Sequence, residues 1–199
     1  GESFMSRVKS ILRKGIEYSK LSEEEIVTLL KCEGEDKQVL YNKADEIREK
    51  YHDKKVHLRA IIEFSNYCRR NCHYCGLRQD NKNIKRYQLK PEEILIMADR
   101  AIERGYRTVV LQSGEDNYDR DKISWIIKKI KKNYDCAVTL SLGERDYEEY
   151  REWREAGADR YLLKHETADE ELYHKLHPGM SFQARIERLL WLKVLGYQV

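Results

Sequence analysis

Three cysteines in one short loop, Cys68, Cys72 and Cys75, are the residues in this chain best suited to chemistry. The stretch FSNYCRRNCHYCGLRQD spaces them Cys-x-x-x-Cys-x-x-Cys, so three thiolates come from a single turn of chain. A structural zinc site closes its tetrahedron with four protein ligands, commonly two separated pairs. No second Cys-x-x-Cys occurs here, and Cys32 and Cys136 stand alone. A 4Fe–4S cube also needs four ligands. Three protein thiolates therefore leave one iron open to a small molecule. Two plainer readings stand beside this one. Zinc could take the three thiolates with His73, although that ring would have to fold back beside its neighbour Cys72. A disulfide with a spare thiol fits poorly with an odd count of 5 cysteines and no secretory pattern. Tyr74, just before the last cysteine, reads either as packing or as an aromatic that shields a metal or stacks on a bound base.

The elements that must position these residues alternate between strand and helix. Ser22 as N-cap with Glu25 three residues later is a capping box, and a helix should run from it to about residue 31. A second amphipathic helix fits residues 37–50, with Val39, Leu40, Ala44 and Ile47 on its apolar side. Residues 1–54 thus read as an N-terminal helical segment. Residues 55–199 read as strand–helix units. A first strand over 56–64 ends at the cysteine loop, and Pro91 opens a helix that closes near Gly105. A strand over 108–112 ends in Ser113-Gly114-Glu115-Asp116. A helix through Trp125 and Ile130 leads to a strand over 137–142. Another helix ends at Ala156-Gly157, a strand covers 160–164, a helix spans 182–195, and 197–199 opens a fifth strand.

That order predicts an α/β fold with parallel strands and right-handed crossovers, a partial or complete TIM-like (β/α) barrel preceded by N-terminal helices. A full barrel of eight units takes about 250 residues, so the sequence is expected to stop short, at strand five. In such barrels the chemistry sits at the carboxyl ends of the strands. The cysteines, Ser113-Gly114-Glu115, Leu142-Gly143-Glu144 and His165-Glu166-Thr167 each follow a predicted strand. Strand alternation puts Thr139 and Ser141 on one face, opposite Val138, Leu140 and Leu142. The apolar face should pack on helices, so the hydroxyls should point inward, as substrate-holding groups or as satisfied strand residues. The same alternation puts Arg160, Leu162, Lys164 and Glu166 together. Buried cations are costly without a partner, so Arg160 and Lys164 are either matched to an anion or form a surface ion-pair cluster.

Charged residues make up 37% of the chain, yet acids and bases nearly cancel to a formal +3, which is not the basic footprint of a nucleic-acid binder. No apolar run approaches the roughly 20 residues that span a bilayer. The expectation is a cytoplasmic protein with no nucleic-acid or membrane partner. Trp125, Trp153 and Trp191 read as packing, Lys128 to Lys132 as a solvated helix end, and His174 and His177 as surface or loop residues.

The cysteine loop resembles the cluster motif of radical S-adenosylmethionine (SAM) enzymes. The segments VVLQSGEDNY, AVTLSLGERD and DRYLLKHETADEELYHKLHPGMSFQARI, in that order, are similar to the [FeFe]-hydrogenase maturase branch of that superfamily. The resemblance implies an enzyme with a radical SAM-type barrel whose cofactors are a 4Fe–4S cluster on Cys68, Cys72 and Cys75 and S-adenosylmethionine on the fourth iron. It implies that Ser113, Gly114 and Glu115, with Gln112 beside them, hold the methionyl amino group. Glu166 would meet the ribose hydroxyls, Arg185 the methionyl carboxylate, and Tyr74 the cofactor. Arg160 and Lys164 would hold an anionic substrate with Thr139 and Ser141. Arginine is usual where this chain has Lys164, and lysine keeps the charge but loses the fork. The implied partners are a small iron-bound, cysteine-derived substrate, an electron donor such as a ferredoxin, and other hydrogenase maturases. A biotin-synthase-like or methylornithine-synthase-like enzyme, or a non-enzymatic zinc or iron–sulfur module, are the alternatives at this point.

Overall fold

A computed structural model describes residues 4–199, with side chains from Arg7 onward. The chain divides into two compact units, Gly1–His57 and Leu58–Val199. The first carries helices α1 (Phe4–Tyr18), α2 (Glu23–Leu30) and α3 (Gly34–His52). The expected capping box starts α2: Ser22 Oγ accepts the Glu25 N–H, and Glu25 Oε2 accepts the Ser22 N–H at 2.7 Å. Helix α1 was not anticipated. It is held to α2 from outside its own sequence, by Lys14 Nζ on the Glu25 carboxylate at 2.8 Å.

The second unit is built on four parallel strands, β1 (Ala60–Ser65), β2 (Thr108–Ser113), β3 (Ala137–Ser141) and β4 (Arg160–Tyr161), in the order β1-β2-β3-β4. Helices α4 (Pro91–Glu103), α5 (Arg120–Asn133) and α6 (Tyr147–Glu155) form the crossovers, and α7 (Glu170–Leu176) and α8 (Phe182–Val194) follow β4. Sequential neighbours joined by helices form the arc of a (β/α) barrel. Gln198 makes a parallel bridge to Arg160, so the fifth strand begins where the sequence placed it.

Two strand boundaries differ from expectation by several residues, and one further helix follows β4. Strand β1 starts at Ala60, not at residue 56, because its pairing with β2 begins at Ala60↔Val109 and leaves Val56 and Leu58 exposed without a partner. The β4 ladder ends at Tyr161, with one further bond from the Leu162 N–H to the Leu140 carbonyl. Beyond it β3 has ended, and Gly143, at φ 74°, turns the neighbouring chain away, so Lys164 has nothing to pair with. Helix α7 is an additional element, capped by the Asp169 carboxylate on the Leu172 N–H at 2.8 Å.

Alternation sorts the strands into two faces. Ile62, Phe64, Val109, Leu111, Val138, Leu140, Leu142, Tyr161 and Leu163 are buried against Ile94, Ile123, Ile126, Ile127 and Trp153 of the helices. The other face carries Ile61, Val110, Thr139 and Arg160 in one register row, and Glu63, Gln112 and Ser141 in the next. The inward hydroxyls of β3 lie where the pattern predicted. No helix among the described residues is long and apolar enough to cross a membrane.

Candidate functional site

The loop from β1 to α4 is fixed at its base before it reaches the cysteines. Asn66 exchanges hydrogen bonds with Tyr87 and donates from Nδ2 to the Lys85 carbonyl at 2.9 Å. Arg86 fills the inside of the loop, donating to the carbonyls of Leu77 at 2.9 Å, Arg78 at 2.8 Å, Asn81 and Asn66. One guanidinium thus gathers four carbonyls that would otherwise compete for solvent. Between these anchors Cys75 closes a turn on Cys72, N–H to carbonyl at 3.0 Å, and the Arg70 N–H points at Cys68 Sγ at 3.5 Å.

Strand β2 presses directly on this loop. A Cβ on Gly114 would lie 2.2 Å from the Tyr67 carbonyl oxygen and 2.9 Å from Cys68 Cβ. Only glycine permits that approach. The next residue, Glu115, is buried and turns back into the protein: Oε1 accepts from Arg69 Nε at 3.0 Å and from Arg70 Nε, and Oε2 accepts the Glu144 N–H at 2.9 Å. The carboxylate expected to face a bound ammonium already has partners within the protein. Oε1 holds the cysteine loop and Oε2 holds the loop after β3, and the segment also presents its backbone. Ser113 Oγ donates to the Gly114 carbonyl at 2.6 Å, and Gln112 reaches Ser141 Oγ at 3.4 Å.

Charge continues from there in a chain. Arg70 also meets Glu144, and the buried Glu144 accepts from Arg185 Nε at 2.7 Å. Arg185 is itself buried and donates its Nη1 to the Lys164 carbonyl. Burial works against its positive charge, but the adjoining Glu144 carboxylate outweighs that and raises its pKa. Sequence reading missed Glu144. Its only local signal was a carboxylate directly after a strand, in LGER.

Around Cys72 the aromatic residues converge. The Tyr74 oxygen lies 2.8 Å from His177 Nε2, and the His73 N–H bonds the Leu176 carbonyl at 2.9 Å, so the end of α7 is latched to the cysteine loop. His177 lies in the loop just past α7, one of the two places expected for it, but it is buried and not on the surface. It is 1% exposed, stacked on Tyr173 at 4.2 Å, and its pKa is lowered chiefly by burial. Glu166 occupies a left-handed turn, φ 68°, close enough to Tyr74 to raise that phenol's pKa along with burial and Cys72.

On the inner sheet face Thr139 is buried with no partner for its Oγ1. Arg160 spans from Gln198 Oε1 at 2.7 Å to Thr108 Oγ1 at 3.5 Å, and Lys164 is exposed. Neither forms an ion pair among the described residues, so the surface ion-pair cluster weighed for them is absent there.

The donor set at the loop suits a cluster. All five cysteines are free thiols, and Cys68, Cys72 and Cys75 are half-buried. Burial raises the Cys72 pKa, Tyr74 lowers it, and Cys68 and Cys75 are near enough to raise it further, while Arg185 opposes them. Among the described residues no three His, Cys, Asp or Glu side chains converge as ligands of one metal ion. A cluster binds each thiolate to a different iron and so accepts more widely spaced sulfurs than a single tetrahedral ion.

Comparison with known proteins agrees with this geometry. The model of the radical SAM superfamily matches residues 62–199. The [FeFe] hydrogenase maturase subunit HydE of Thermotoga maritima is 59% identical over 162 residues, which are 81% of this chain and 46% of that protein. The crystal structure of methylornithine synthase (PylB) superposes with a TM-score of 0.83 at 33% identity, over 94% of this chain and 56% of that one. HydG, a maturase of the [FeFe]-hydrogenase, superposes with a TM-score of 0.86 at 24% identity, covering 98% of this chain and 45% of that one, a likeness of fold. The chain spans about half the length of the curated relatives it matches.

Proposed function

This chain belongs to the radical SAM superfamily, and we propose that it carries a 4Fe–4S cluster and S-adenosylmethionine and acts in building the active-site cluster of [FeFe]-hydrogenase. The observation that carries this is the loop of three free thiols at the carboxyl end of β1, braced by Gly114 and Glu115. The 59% identity with a hydrogenase maturase subunit supports the narrower assignment.

Cys68, Cys72 and Cys75 hold the cluster. When bound, the cluster supplies one electron that breaks a carbon–sulfur bond of S-adenosylmethionine, giving methionine and a 5′-deoxyadenosyl radical. The chain's own residues bind, orient and shield. Arg185 is fixed on one side by Glu144 and the Lys164 carbonyl, which leaves its Nη2 for the methionyl carboxylate. The Ser113–Glu115 backbone and Gln112 take the methionyl amino group. Glu166, in its left-handed turn, accepts from the ribose hydroxyls, and Tyr74 meets the cofactor. Thr139, Ser141, Arg160 and Lys164 line the inner face for an anionic, cysteine-derived iron complex, and the unpartnered Thr139 hydroxyl is a hydrogen bond waiting for that ligand. A cytoplasmic ferredoxin-type donor and the other hydrogenase maturases complete the setting.

Anaerobic reconstitution with iron and sulfide tests this. The expected result is a brown protein whose cluster EPR changes when S-adenosylmethionine is added, with 5′-deoxyadenosine released and an iron–cysteine complex consumed in preference to lysine or dethiobiotin. A colourless zinc protein indifferent to S-adenosylmethionine would overturn it.

A further inference from the structure

Beside Cys72 one hydroxyl proton stands among three acceptors. The Tyr74 oxygen is 2.8 Å from His177 Nε2, and after burial the Cys72 sulfur and the Glu166 carboxylate are near enough to raise the phenol's pKa. Which acceptor takes the proton follows from the other side of the imidazole. His177 Nδ1 lies 3.0 Å from the Tyr173 carbonyl, which can only accept, so Nδ1 carries the ring's hydrogen. In the neutral ring Nε2 is then a bare lone pair.

That lone pair is buried, on a side chain 1% exposed and pinned by stacking 4.2 Å from Tyr173. Leaving it unpaired would cost the desolvation penalty of a buried, unsatisfied acceptor. Among the described residues the Tyr74 O–H is the one donor brought to it. Glu166 is exposed and has water to satisfy it, and a metal-bound thiolate is the weaker acceptor. The latch between the His73 N–H and the Leu176 carbonyl fixes the distance between ring and loop.

We infer that His177 is a positioning residue: by taking the Tyr74 hydroxyl proton it keeps a hydrogen-bond donor off the Cys72 sulfur and so holds the cluster's reduction potential down. This rests on the cluster reading above. A donor at a cluster sulfur offsets the negative charge that builds on reduction and makes reduction easier. Withholding it leaves the reduced cluster a stronger electron donor, as cleavage of a sulfonium requires.

The test is the midpoint potential of the full chain after anaerobic reconstitution, followed by EPR, with iron content measured alongside. His177→Phe keeps the ring stack but offers no acceptor, so Tyr74 turns to the sulfur and the potential shifts positive at unchanged iron content. Tyr74→Phe alone leaves the potential where it was, and the double variant matches Tyr74→Phe. An unmoved potential in a fully loaded His177→Phe protein would overturn the inference. So would a negative shift in Tyr74→Phe, because the hydroxyl would then already have been on the sulfur. If His177→Phe does not fold, the Tyr74→Phe measurement decides alone, an unshifted potential supporting the inference and a negative shift ending it. An unsubstituted protein that takes up no cluster would sink the underlying reading, and this inference with it.

Discussion

Replacing Gly114 by alanine isolates the contact that couples β2 to the cysteine loop. The added Cβ would sit 2.2 Å from the Tyr67 carbonyl oxygen, where ordinary contact begins at 3.4 Å, so backbone must move by the difference, about 1.2 Å. The carbonyl belongs to the residue before Cys68, and the bonds at risk are Gly114 N–H to Ser65 carbonyl at 3.2 Å and Arg69 N–H to Glu115 carbonyl at 2.9 Å. Overpacking costs about 1–3 kcal/mol and a strained hydrogen bond roughly 1 kcal/mol more. A total near 3 kcal/mol lowers Tm by roughly 6–12 °C in a chain of this size. Gly76→Ala is the control, since nothing lies within 4 Å of its added Cβ. Thermal unfolding by circular dichroism reads the first effect. Iron per chain after reconstitution reads the second, and should fall well below that of Gly76→Ala, because Cys68 moves with Tyr67. A Gly114→Ala protein that melts with the control and loads as much iron would refute the argument that this glycine sets the loop.

Three further outcomes are expected. Glu144→Ala strands the buried Arg185 guanidinium, whose side chain is 7% exposed, and should cost about 3–5 kcal/mol in urea unfolding; a loss below about 1 kcal/mol would mean that water replaces the carboxylate. Arg86→Ala removes a donor shared by four loop carbonyls and should reduce iron retention more than thermal stability, and equal iron retention would dismiss its role as organiser of the loop. His177 has a folded pKa below its ordinary 6.5, so the unfolded chain binds its proton more readily. Its contribution to stability is full above about pH 6.5 and is lost as pH falls through that value toward the lower folded pKa. The stability gap between the protein and its His177→Gln variant should narrow from pH 7.5 to pH 5.5, and a gap independent of pH would contradict a buried neutral imidazole.

The sequence by itself determined whatever depends on near neighbours along the chain. The capping box of Ser22 and Glu25, Pro91 at a helix start, the apolar face of Val138, Leu140 and Leu142, and the three cysteines of one loop all rest on contacts within a few residues, and the structure has each of them. The alternation of strand and helix was enough to foresee parallel neighbours in sequential order. Tertiary structure alone decided the partners. Tyr74 and His177 are 103 residues apart, Arg185 and Glu144 are 41, and Arg70 and Glu115 are 45. No periodicity links such positions. They meet because three crossovers bring the carboxyl ends of β1 to β4 to one edge of the sheet. The register of β2 against β1 settled where the first strand begins, and the early end of β3 left Lys164 outside the ladder. The burial of His177, read as a surface or loop residue, was hidden for the same reason. Pro178 and Gly179 after it signal a helix end, and nothing local reveals that a tyrosine from a distant loop will cover that end and bury the ring.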